Sequence, residues 1–107
     1  MRLWPRKLKL HRESRLQRFL SQLEFEMFTV EHDHEGSGGL RPVRDRTGRL
    51  LGHVDSTGVC FVYVREDAKK IPAVQHVIDI VRQLNKNGVH IALSDGGKRQ
   101  EVEAQAG

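Results

Sequence analysis

Leu16, Phe19, Leu20 and Leu23 recur at i, i+3, i+4 and i+7, the spacing of a single apolar stripe on an α-helix. Arg12, Arg15, Arg18 and Gln22 fall off that stripe. The pattern predicts a first helix from His11 with a basic outer face. In "FEMFTVEH", residues 25–32, the period shortens toward two, which predicts a strand with two partly covered faces. The next segment, "LRPVRDRTGRLLGHVDSTGVCFVYVRE", holds three apolar runs separated by "DRTG" and "DSTG". Both tetrapeptides carry turn chemistry, so strands are expected near 40–44, 49–54 and 59–65, joined as a meander.

Pro42 lacks a backbone donor, which predicts that its segment is an edge strand or barely a strand. By contrast "VCFVYV" is apolar throughout, as expected of a central strand covered on both faces. Pro72 suits the first turn of a second helix, whose buried face is predicted at Val74, Val77, Ile78, Val81 and Leu84, with Asn87 and Gly88 as a left-handed stop. "VHIAL", residues 89–93, supplies a last strand. A strand, a helix of about four turns and a strand make a right-handed crossover, so 89–93 should run parallel to 59–64. The expected fold is α+β: an N-terminal helix, an antiparallel meander and a C-terminal βαβ unit in one mixed sheet. No internal repeat is visible.

The 107 residues fit one small core. Their division is expected as a basic arm at 1–10, a single α+β domain at 11–95 and a small, polar, disordered tail at 96–107. Hydrophobic residues make up 37% and charged residues 30%, with a mean hydropathy of −0.54, inside the globular range. One cysteine excludes an intrachain disulfide and any zinc site built from a cysteine cluster. No apolar run approaches the roughly 18 residues of a membrane helix, and the first residues lack the apolar centre of a secretory signal. A cytoplasmic protein with no membrane role is the expectation, although "MRLWPRKLKLHRESRLQRFL" also has the composition of a mitochondrial presequence.

The net charge of +4 conceals an asymmetry. Residues 1–18 carry seven Lys or Arg against one acid, and the other 89 carry eleven against thirteen. The basicity therefore reads as a terminal feature.

Most candidate chemistry has a plainer reading. In "EHDHEGSGG", residues 31–39, His32 and His34 would share one side of an extended backbone. Zinc needs three or four converging ligands, so the stretch reads as a polar strand end entering a glycine connection, with no metal site. Cys60 lies in the most apolar run, where a thiolate is disfavoured, and reads as core packing. His76 and His90 are expected near that core as satisfied structural residues. "SDGGKRQ" has neither the Walker spacing nor a dinucleotide fingerprint. No local signature of a catalytic residue or a cofactor site is present, and a non-enzymatic protein is expected.

What remains is the basic N-terminus. Arg2, Arg6, Lys7, Lys9, Arg12, Arg15 and Arg18 offer phosphate contacts, and Trp4 offers a stacking ring, a mixture suited to non-specific nucleic-acid binding. The alternative is a protein–protein interaction module, an inhibitor or assembly factor, using the sheet face or the acidic "EHDHE" loop; an acidic protein partner would also accept the basic segment. An exposed edge strand beside Pro42 leaves a homodimer open.

The order "RDRTGRLLGHVDS", "FVYVRE", "IPAVQHVIDIVRQL" and "GVHIALSDGGKRQEVEAQA" resembles the large polyvalent protein associated domains found beside relaxases of conjugative plasmids and mobile elements. The likeness runs from residue 44 to about residue 104 and leaves out the basic first helix. Val54, Asp55, Ser56 and Thr57 stand where that family tends to show a stronger acidic and glycine turn. The resemblance implies a plasmid or phage accessory protein working near DNA. It carries no catalytic motif, so no functional residue is transferred.

Overall fold

The computed structural model describes residues 11–32, 36 and 38–95. The arm at 1–10, the tail at 96–107 and most of the "EHDHE" stretch lie outside the described residues. The elements run α1 (Arg12–Phe25), β1 (Thr29–Val30), β2 (Leu40–Arg44), β3 (Leu50–Asp55), β4 (Cys60–Tyr63), a 3-10 turn (Glu66–Lys70), α2 (Pro72–Lys86) and β5 (Ala92–Asp95). The five strands form one mixed sheet in the order β1-β2-β3-β4-β5. The first four pair antiparallel, and β5 joins β4 in parallel through the α2 crossover. The fold is α+β.

Both helices feed one core. Phe19, Leu20 and Leu23 of α1 and Val74, Val77, Ile78, Ile80, Val81 and Leu84 of α2 belong to the same buried cluster as Val30, Val43, Leu51, Val54 and Phe61. The strand residues in that cluster face the helices. On the opposite face the cross-strand row Pro42–His53–Val62–Ser94 is only half-buried, and no helix among the described residues covers it. The expectation that β4 is covered on both faces is therefore corrected: the described residues form two layers, the helices and one sheet, and the apolar Val62 is only half-buried.

Both "DxTG" turns use the same lock. Asp45 Oδ1 accepts from the Thr47 amide at 2.9 Å and the Thr47 hydroxyl at 2.6 Å; Asp55 Oδ1 accepts from the Thr57 amide at 3.1 Å and its hydroxyl at 2.7 Å. Such turns let an Asp side chain substitute for a backbone acceptor. Between β2 and β3 the register shifts, with Val43 opposite Gly52 but Arg44 opposite Leu50. The extra residue is Leu51, fully buried in the core, and a bulge of this kind re-aims a side chain.

The first and last strands depart most from expectation in their bounds. The strand predicted at 25–32 is reduced to Thr29–Val30, because α1 continues through Phe25. The helix closes in a Schellman motif, with Phe28 N donating to Leu23 O at 2.9 Å and Met27 N to Glu24 O at 3.0 Å, and Met27 takes the left-handed position at φ 77°. That position usually carries glycine, so its signal was absent from the sequence.

The last strand begins at Ala92, three residues after the predicted start at Val89. Asn85 intercepts the backbone of Ile91, donating to its carbonyl at 2.8 Å and accepting from its amide at 2.6 Å. Val89 and Ile91 are buried as parts of a loop.

Finally, Pro42 does not mark an edge. β2 lies between β1 and β3, and the edges are β1 and β5.

Candidate nucleic-acid interface

Helix α1 separates its charges. At 3.6 residues per turn, Arg12, Arg15 and Arg18 advance along one flank, and Glu13 and Glu24 fall on the other. Arg12 and Arg15 lie beside the loops at one end of the sheet. Arg15 Nη1 donates to the His90 carbonyl at 2.9 Å. Arg12 Nη1 reaches the Thr57 carbonyl at 3.5 Å, the outer limit of a hydrogen bond. A guanidinium carries five donor hydrogens, so each retains capacity for an anion after this contact. Arg18 is exposed and lines a cavity of about 370 Å³ between α1 and α2. Of the predicted phosphate ligands the structure places these three on one flank of α1; Arg2, Trp4, Arg6, Lys7 and Lys9 lie outside the described residues.

The loops beneath this flank hold unusual backbone. Val59 at φ 51° and His90 at φ 62° both occupy the left-handed region, which disfavours a β-branched residue strongly. The Val59 carbonyl accepts from Ala92 N at 3.2 Å, so the strained turn leads directly into the parallel pairing. His90 is exposed in a loop, which corrects its expected place near the core, whereas His76, though exposed, is a hydrogen-bonded structural residue set against the core ring of Phe28.

His76 joins the helices. Its Nε2 lies 2.8 Å from Glu26 Oε1, and its ring meets Phe28 edge-on at 5.2 Å between centroids. Gln22 donates to the other Glu26 oxygen at 3.0 Å. The hydrogen bond from Gln22, then that from His76, holds the Glu26 carboxyl below its ordinary value. A second cavity, of about 390 Å³, adjoins the first and shares Glu26 and His76 in its wall. It opens toward the β2–β3 turn at Asp45, Arg46 and Thr47.

A further basic cluster was not singled out from sequence, although four arginines in nine residues, Arg41, Arg44, Arg46 and Arg49, were there to be counted. Arg44 pairs with Glu31 at 2.9 Å and donates to the Gly48 carbonyl at 3.2 Å. Arg46 and Arg49 are exposed on the turn. Basicity is therefore not confined to the N-terminus. The described residues carry twelve Lys or Arg against ten Asp or Glu.

Cys60 is 8% exposed but stands outside the core cluster, on the strand face opposite Phe61. Its thiol lies 3.7 Å from the Phe61 carbonyl. Among the described residues no group of three His, Cys, Asp or Glu side chains could hold a metal ion. Also among them, no helix is long and apolar enough to cross a membrane. No protein-family model, no curated protein and no solved structure matches the chain.

Proposed function

We propose that the protein is a small non-enzymatic accessory protein that binds nucleic acid through its phosphates. The observation that carries this reading is the row of Arg12, Arg15 and Arg18 along one flank of α1, two of them steadied by backbone carbonyls. Acids of the same helix are turned away from that row. A steadied guanidinium loses less side-chain entropy when it meets a phosphate than a free one does. The basic residues 2–9 precede this flank in the chain and extend its charge. The resemblance to domains encoded beside relaxases points toward a plasmid or phage setting.

The test is fluorescence anisotropy of the full chain on a short duplex and a matching single strand, titrated across salt. The expected result is a log–log slope of several negative units, reduced by about one in Arg18→Gln, which removes a single phosphate contact. Replacing Arg2, Arg6, Lys7 and Lys9 by glutamine should reduce it further. Binding weaker than about 100 μM at low salt, the loose end of non-specific affinity, would sink the reading.

A second reading, a protein–protein interaction module, rests on a different observation. Phe25 is 79% exposed and Met27 59% exposed at the end of α1, and paired apolar side chains of this kind suit a protein contact. Binding to a partner that survives the glutamine substitutions but is lost in Phe25→Ser would favour it.

A further inference from the structure

The sheet face turned away from the helices carries apolar side chains that the core does not absorb. Beside the row through Pro42 and Val62 runs a second one, Leu40–Asp55–Cys60–Ala92, whose members stand two residues along each strand and so share that face. Leu40 is 36% exposed, Ala92 is exposed, and Pro42 and Val62 are half-buried. Leu40, Pro42, Cys60 and Val62 belong neither to the core cluster nor to the side chains packed on it. The one carboxylate in the two rows, Asp55, is held by the Thr57 amide and hydroxyl. An antiparallel sheet that leaves one face to water alternates apolar and polar positions, and here the outer positions of β2 and β4 are apolar as well.

From this we infer that the N-terminal segment, residues 1–10, lies across the open sheet face with Trp4, Leu8 and Leu10 against it. Its point of departure is fixed by α1. Arg12 and Arg15 reach the carbonyls of Thr57 and His90, so the helix begins at the end of the sheet where Asp55, Cys60 and Ala92 stand. Ten extended residues span about 33 Å, whereas five strands are about 19 Å across. About 14 Å is left for the passage around the sheet end. Composition selects this segment over the others outside the described residues: it offers Leu3, Trp4, Leu8 and Leu10, against Val102 in 96–107 and no apolar side chain in 33–35. Lys7, Leu8, Lys9 and Leu10 alternate, so an extended backbone turns both leucines to the sheet and both lysines to solvent. Pro5 biases Trp4 to the same extended conformation. Arg6 shares the leucines' side, where its stem lies along the sheet and its guanidinium reaches the rim. Trp4 is thereby withdrawn from base stacking, and the lysines become a fixed basic surface. The placement is independent of the nucleic-acid reading, which needs only the charges.

The experiment reads the fluorescence of the full chain without nucleic acid. Trp4 is the one tryptophan, so emission excited at the red edge of its band reports the segment alone. The expected emission lies to the blue of N-acetyl-tryptophanamide, and acrylamide quenches it several-fold less. Val62→Glu, which sets a carboxylate on the open face, should move the emission back to the red and restore the quenching. Leu40→Glu should do the same, and at a side chain already 36% exposed it keeps the fold. Circular dichroism identifies the variants that retain the parent's helices, and only these are compared. Emission and quenching equal to those of the free amide overturn the proposal. Shielding that persists in either folded variant also overturns it, because the segment then rests elsewhere. Shielding that appears only as the protein concentration rises, together with a doubled mass in sedimentation, assigns the face to a second copy and overturns it as well.

Discussion

Arg41 donates from Nε to the Glu31 carbonyl at 2.8 Å, serving an acceptor that Pro42 cannot. The pairing of β1 with β2 puts Glu31 opposite Pro42, and Glu31 N donates to Pro42 O at 2.9 Å. In a hydrogen-bonded antiparallel pair the return bond would come from the amide of the facing residue, which proline lacks. The neighbouring guanidinium supplies that donor, and this is why a proline is tolerated inside the sheet. Arg41→Ala should therefore destabilise the protein by about 1 kcal/mol, the cost of an acceptor losing its partner at a half-buried site. In a Pro42→Ala background the backbone amide returns and the cost should shrink. Urea unfolding of the two single variants and the double variant measures the coupling; a coupling energy near zero would show that Arg41 acts independently of the proline.

Gly52 leaves room for Phe61. A Cβ at position 52 would stand 2.3 Å from the Val62 carbonyl oxygen and 2.9 Å from Phe61 Cζ, and Phe61 is fully buried. One of these contacts is backbone and cannot swing aside. Gly52→Ala is expected to cost about 3 kcal/mol, the upper end for overpacking a core. Trimming the ring in Phe61→Leu should recover only part of that cost, since the carbonyl contact remains. Thermal melts of the variants decide this, and a near-neutral Gly52→Ala would mean that β3 and β4 separate readily.

The features legible in the sequence were those set by neighbours in the chain. Asp45 with Thr47, and Asp55 with Thr57, make their turns within three residues, and α2 displays its stripe at Val74, Val77, Ile78, Val81 and Leu84 whatever it packs against. Met27 at a left-handed helix end, Asn85 delaying β5 and Arg41 serving Glu31 depend on contacts that local spacing does not announce. The candidate site divides in the same way. Its arginine row could be read from α1 alone, whereas the cavity that Arg18 shares with His76 and Asp79 of α2 arises only when two helices separated by four strands come to lie on one sheet face.

His53 sets an expected acid sensitivity separate from that of the carboxylates. Burial lowers its pKa below the ordinary 6.5, and the Arg44 charge lowers it further against a smaller opposing effect of Glu31. The folded state thus binds this proton less readily than the unfolded chain does. The stability linked to His53 is complete above the unfolded value near 6.5 and is lost as pH falls through the lower folded value. Urea midpoints measured between about pH 7.5 and 5 should fall for the parent protein and fall less for His53→Gln. Parallel curves for the two proteins would assign the acid sensitivity to other groups.

Met27 occupies a backbone conformation better suited to glycine. With φ at 77° it fills the left-handed position of the Schellman motif, where a side chain costs about 1 kcal/mol relative to glycine. Its side chain is 59% exposed and so loses little packing on removal. Met27→Gly is accordingly expected to raise stability by about 0.5–1 kcal/mol, the penalty being relieved but partly offset by glycine's greater freedom in the unfolded chain. The exposed methionine thus reduces stability without serving the core, and it adjoins the exposed Phe25. If the two side chains form a protein contact, Met27→Gly should weaken partner binding while stabilising the fold, and leave the salt dependence of nucleic-acid binding unchanged. Denaturant melts and anisotropy on the same variant read the two effects separately. A loss of stability in Met27→Gly would show instead that the methionine packs against the mouth of the adjoining cavity and holds the helix end in place.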